Sequence, residues 1–126
     1  RQHPEPFTAL ADFLREVLAI EESRPGYTEV LGYLTDGEIE VWRAEYLDTC
    51  RDLTERAQAA GLVREDFDWR EIPFLLRAVG SARGWMLGHR ADRAQARRLL
   101  EVSIAGLAPC DTQTPLPGAG PHEDLD

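Results

Sequence analysis

Hydrophobic residues recur along most of this chain at steps of three and four, the spacing that gathers them on one face of an α-helix. From residue 7 the set Leu10, Phe13, Leu14, Val17 and Leu18, with Ile20 at its margin, predicts a first helix ending near residue 22. Pro25 and Gly26 stop it, because neither continues a helix without cost. Val30, Leu31, Tyr33 and Leu34 form a short apolar piece, read as a brief helix, and Asp36 before Gly37 is a cap candidate for the next one. The longest helix is expected over 37–60. Its stripe is Ile39, Trp42, Tyr46, Cys50, Leu53, Ala57 and Ala60, with the i,i+4 ion pairs Arg51–Glu55 and Asp52–Arg56 on the outer surface.

The next helix, expected over 69–88, is apolar on two sides. Ile72, Leu75, Leu76, Val79 and Met86 make one face, and Phe74, Ala78, Ser81 and Trp85 another. One stripe is enough to join a helix to its own core, so a second implies a second partner. The last helix is expected to start after Asp92 and to end at about residue 107, before Pro109. It repeats the arrangement: Leu100, Ile104 and Leu107 form one stripe, Leu99, Val102 and Gly106 its neighbour, and the small Ser103, Ala105 and Gly106 permit close approach of another helix. No stretch alternates with period two, so the reading is all-α, about five helices in one domain over 1–108. Residues 109–126, rich in Pro, Gly and Asp, are expected to be a flexible acidic tail.

One junction carries its own signals. Gly61 suits the position just past a helix end, where positive φ is required. Leu62 and Val63 can turn back to the core, Arg64 and Asp66 can tie the connector down, and Asp68 can cap the next helix with Glu71 as its capping-box partner. Pro73 is awkward in that helix's first turns, because it lacks an N–H.

Composition narrows the function. The net charge is −9 and all 14 basic residues are Arg. Asp111, Glu123, Asp124 and Asp126 lie in the tail, so residues 1–108 carry −5. An acidic chain whose arginines are dispersed among carboxylates is a poor grip for phosphates, which need clustered basic groups. Cys50 in a helical pattern and Cys110 beyond the last helix are too few for a disulfide framework and suit a reduced, cytoplasmic protein. No apolar run is long enough to span a bilayer. The chain begins at Arg1 without Met, so a fragment or excised domain is expected.

Candidate chemistry is sparse. His3, His89 and His122 are far apart and no metal-ligand spacing is present, so no metal and no cofactor are expected. Cys50 and His89 could meet across two helices, but nothing orients such a pair, and no catalytic residue is assigned. The aromatic set remains. Trp42 and Tyr46, one turn apart, are amphipathic and suit an apolar pocket between helices; with Cys50, Phe13, Tyr33 and Phe74 they are the expected ligand-pocket residues.

Several motifs resemble one family. They are A-L-x-x-F-L-R over Ala9 to Arg15, R-A-Q-x-A-G-x-V-R-x-D over Arg56 to Asp66, and L-L-x-x-x-x-x-G-L over Leu99 to Leu107. In order and spacing they resemble the C-terminal domain of TetR-family transcriptional regulators, the junction resembling the SbtR-like subgroup. The resemblance covers most of residues 7–108. It implies a bacterial, non-enzymatic helical domain that senses a small, hydrophobic or aromatic effector. It also implies a homodimer whose last two helices build a four-helix bundle across a twofold axis. Leu75, Val79, Ala82, Met86, Leu99, Val102 and Gly106 are then expected to divide between core and interface. The family's helix-turn-helix would precede Arg1, so operator DNA would be met only through that domain. A stand-alone helical enzyme acting on a small anionic substrate, or a helical protein-interaction module, are the rival readings.

Overall fold

Helix α1 (Pro6–Ser23) begins at a cap made by Glu5, whose carboxylate accepts the Thr8 N–H at 2.6 Å and the Thr8 hydroxyl at 2.9 Å. Pro6 takes the first helical position, where its missing N–H would have had no partner anyway. A computed structural model describes residues 5–23, 37–80, 89–109 and 114–118. Its other helices are α2 (Gly37–Ala59), α3 (Glu71–Gly80) and α4 (His89–Leu107), and no strand occurs among the described residues. The brief helix expected around residues 28–34, the Asp36 cap and the far end of the 69–88 helix lie outside them. Helix α4 takes in His89, before the expected start after Asp92.

The apolar stripe of α1 is the centre of the core. Leu10, Ala11, Leu14 and Leu18 are buried, and α1 packs against each of the other three helices. Helix α4 presents Ala96, Leu100, Ile104 and Leu107 to it, α3 presents Ile72, Leu76 and Val79, and the connector adds Val63 and Phe67. Gly80 lets α3 lie close to α1: a Cβ there would meet Glu21 Cγ at 3.1 Å. On the outside α1 is tied to α4 at two points. Arg15 donates to both Glu101 oxygens at 2.7 and 2.9 Å, and Arg97 donates to both Glu22 oxygens at 2.9 and 3.1 Å. On α2, Arg56 pairs with Asp52 at 3.1 Å as expected, while Arg51 reaches back to Asp48 at 3.0 Å and not forward to Glu55.

The junction after α2 follows its sequence signals closely. Gly61 has φ +74°. Its N–H donates to the Gln58 carbonyl at 3.0 Å, and the Leu62 N–H to the Ala57 carbonyl at 2.8 Å, the paired bonds of a Schellman ending. Asp68 accepts the Arg70 N–H at 2.9 Å while Glu71 accepts the Asp68 N–H at 3.0 Å, a reciprocal cap of the capping-box kind with the Asp68 bond one residue early. Pro73 cannot donate to the Trp69 carbonyl. The Ile72 N–H takes that carbonyl instead, at 3.1 Å, so the first turn is tightened and regular helix starts only at Glu71.

Gln58 is not marked by any hydrophobic period, yet it holds the connector. Its half-buried amide donates to the carbonyls of Arg64, at 3.1 Å, and Phe67, at 2.8 Å. Arg64 extends the junction to α4 and the tail. Its N–H donates to the Leu107 carbonyl at 2.7 Å, satisfying a carbonyl at the end of α4. Its guanidinium donates to both Asp66 oxygens, at 2.6 and 3.0 Å, and to the Thr114 carbonyl at 2.8 Å, and Asp66 accepts the Leu116 N–H at 2.9 Å. The carbonyl of one residue and the N–H two residues on share one edge of an extended backbone, so this ion pair grips the tail as a neighbouring strand would. Pro115 helps, because the residue before a proline is held extended. Thr114 and Leu116 are thus held to the junction. The Arg64 guanidinium, followed by the Leu116 N–H, holds the Asp66 carboxyl down at about 2.

Replacing Gln58 by Ala removes two bonds; the Arg64 carbonyl keeps the Phe67 N–H at 3.3 Å, and the Phe67 carbonyl loses its bond to the amide. We expect urea unfolding to show a loss of about 1–3 kcal/mol, with helix content of the native state unchanged.

Candidate functional site

The buried half of α2 lies at its C-terminal end, where Cys50, Thr54 and Ala57 are each fully enclosed. Toward the N-terminus the same stripe opens outward. Tyr46 is half-buried against the core, and Trp42, expected on a buried face, is 39% exposed. Trp42 stacks on Tyr46, centroids 5.5 Å apart and planes within 6°. From α1, Phe13 meets the Tyr46 ring at 5.9 Å, tilted by 34°. Trp42, Tyr46, Cys50 and Phe13 are therefore brought to the α1–α2 seam.

Of the other two expected pocket residues, one can be placed. Tyr33 lies outside the described residues. Phe74 is 66% exposed on α3. Ile72 and Leu76 point inward, and Phe74, two residues from each, falls about 160–200° around the helix from them.

Burial pushes the Cys50 thiol from 9.0 up to about 12. Burial likewise raises the Tyr46 phenol, and the nearby Cys50 adds to the shift. A thiol held neutral in an enclosed place is a weak nucleophile and a packing group. Among the described residues no cluster of His, Cys, Asp and Glu could hold a metal ion, and no helix is long and apolar enough to cross a membrane.

A second surface lies on the outer faces of α4 and α3. Leu99 is 50% and Val102 69% exposed on α4, with Ala105 and Gly106 exposed beside them. The Ser103 hydroxyl folds back on the Leu99 carbonyl at 2.8 Å and so presents little polarity. Phe74 and Ala78 make the exposed face of α3. Of the residues expected to divide between core and interface, Leu99, Val102 and Gly106 face outward. Val79, 6% exposed, belongs to the core of its own chain, because it sits one turn from Leu76 and Ile72 on the inward stripe. Leu75 is half-buried against that core, and Ala82 and Met86 lie outside the described residues.

Linkage gives the seam an alkaline limit. Cys50 and Tyr46 keep their protons longer when folded than when unfolded. Their contribution to stability is complete below about pH 9 and is lost as pH rises toward 12. Tyr46→Phe removes one of the two titrations, so its alkaline unfolding midpoint, followed by circular dichroism, should lie above that of the parent chain; an equal or lower midpoint counts against a buried phenol.

Comparison with known proteins agrees with this architecture. The C-terminal domain of SbtR-like transcriptional regulators matches residues 5–109, which takes in all four helices and the junction. A search of curated proteins finds no match. With most of its length matched, the chain belongs to the TetR family, as an SbtR-like C-terminal domain of a transcriptional regulator.

Proposed function

We propose that this chain is the effector-sensing and dimerisation domain of its regulator. The α1–α2 seam takes a small hydrophobic or aromatic effector. The outer faces of α3 and α4 pair with a second copy as a four-helix bundle. The effector favours one arrangement of the domain, which alters the spacing of the DNA-reading heads in the intact regulator and so its operator affinity. The size of that shift is bounded by the effector's difference in affinity for the two arrangements. Catalysis is not part of this reading.

The observation that carries it is the outward stripe Leu99, Val102 and Gly106 on α4, spaced three and four residues apart like a helix-pairing seam. Leucine and valine half or more exposed beside a glycine waste apolar surface on a lone chain, whereas a twofold partner removes it from water.

Sedimentation equilibrium tests it. The chain should be a dimer at micromolar concentration, and Val102→Glu should give a folded monomer, since Val102 takes no part in the core. A parent chain that sediments as a monomer, or a Val102→Glu variant that remains dimeric, removes this interface.

A further inference from the structure

Gly61 and Gly80 each have a reason within the chain. Gly61 takes the left-handed φ of its turn, and Gly80 leaves little room for a Cβ beside Glu21. Gly106 has neither reason. Its φ lies outside the left-handed range, and a Cβ built on it would meet nothing within 4 Å. Alanine would hold the end of α4 better, because glycine gives up more backbone freedom on entering a helix. The space that Gly106 leaves open serves nothing in the single chain.

The rest of its stripe shows what fits there. Gln95, Leu99, Val102 and Gly106 follow at steps of four, three and four, are all exposed, and form one outward seam about 16 Å long. A twofold axis that pairs this seam with its own copy, the two helices running oppositely, can cross it at three levels. Between Gln95 and Leu99, it sets Leu99 against the partner's Gln95. Between Val102 and Gly106, it carries Leu99 past the end of the partner's helix. Between Leu99 and Val102, it sets Leu99 on the partner's Val102, and Gln95, the longest side chain of the seam, over the partner's Gly106. Only the last keeps apolar on apolar and fills the open place. A parallel pair would set glycine opposite glycine and leave the place empty. The charges on the flank agree. Arg98 has no ion pair among the described residues, and Glu101, on the same flank, accepts from Arg15. In the chosen arrangement each Arg98 lies within two residues of the level of the partner's Glu101, so opposite charges approach twice.

We infer that α4 pairs antiparallel with α4 of a second copy, the twofold axis passing between Leu99 and Val102, so that Gln95 of each copy lies over the partner's Gly106. This rests on the dimer proposed above and gives it a register. Gly106 lets the partner's side chain lie directly on the backbone of α4. Gln95 discriminates, because a slip of the register would press its amide against leucine and strip it of water with no bond in return.

Dimer dissociation constants from sedimentation test this on the parent chain, on Gly106→Leu, and on Gly106→Leu combined with Gln95→Ala. Gly106→Leu puts a side chain where the partner's Gln95 lies and should weaken the dimer about tenfold. Circular dichroism should show it at least as helical as the parent, leucine being the better helix former. Adding Gln95→Ala should recover most of the loss, since the shortened residue vacates the place that leucine takes. A helical Gly106→Leu chain that pairs as tightly as the parent, or a double variant that pairs no better than Gly106→Leu, overturns the register and leaves the dimer standing. Cross-linking gives a second reading that does not depend on Gly106→Leu. In a Cys110→Ser background, a mixture of Gln95→Cys and Gly106→Cys chains should form a disulfide between the two on oxidation, and Gln95→Cys alone should form none. A disulfide in the Gln95→Cys chain alone marks a parallel pair and overturns the inference. A parent chain that is monomeric removes the dimer and its register together.

Discussion

The reversal of the chain between α2 and α3 rests on the side-chain amide of Gln58. Two connector carbonyls meet on that one group, and Gly61 supplies the left-handed turn that brings them there. With the connector fixed, Val63 and Phe67 enter the core and Arg64 reaches the last carbonyls of α4. Three helices are thereby referred to one short loop. The tail is joined to the same loop by the Arg64–Asp66 pair, which uses a donor and an acceptor together to hold an extended backbone. None of these bonds is individually large. Their effect is geometric, since they leave the connector little freedom to place α3 otherwise.

The helices themselves were legible because the physics that makes them is periodic. On α4 the inward Leu100, Ile104 and Leu107 and the outward Leu99, Val102 and Gly106 separate as their spacing requires. Gly61 and the Asp68–Glu71 capping box were legible for a different reason: each residue type answers a specific backbone need. Gln58 and Thr54 were not. A glutamine on a helix is ordinarily a solvated side chain, and only the connector's return past it shows what its amide does. Thr54 stands one turn after Cys50, in register with the stripe, but its hydroxyl marks it as polar and no hydrophobic count includes it. Phe74 and Trp42 show the reverse limit: an apolar type states a preference for burial, and the helix position decides which side it faces. Val79 was expected at the division between core and partner, and only packing assigns it to the core.

The two surfaces are built on different terms. The α1–α2 seam combines aromatic rings with neutral polar atoms in an enclosed place, a mixture that suits selection of a small molecule. The α4 face combines exposed aliphatics with small residues and a hydroxyl turned inward, a mixture that suits another helix. Helix α1 packs on both α2 and α4. The bidentate pairs Arg15–Glu101 and Arg97–Glu22 tie α1 to α4 at two points.

The central claim is that one side of this domain is covered by a second copy while the other is kept for an effector. Solvent paramagnetic relaxation of the methyl groups, measured by NMR with a soluble nitroxide, addresses it residue by residue. Leu99 and Val102 are more exposed in the single chain than Ile20, which serves as the internal reference. If the outer face of α4 is paired, the methyl groups of Leu99 and Val102 will relax much more slowly than those of Ile20. If they relax as fast as Ile20 or faster, the face is open to water and the account of this domain as a dimerising regulator module is wrong.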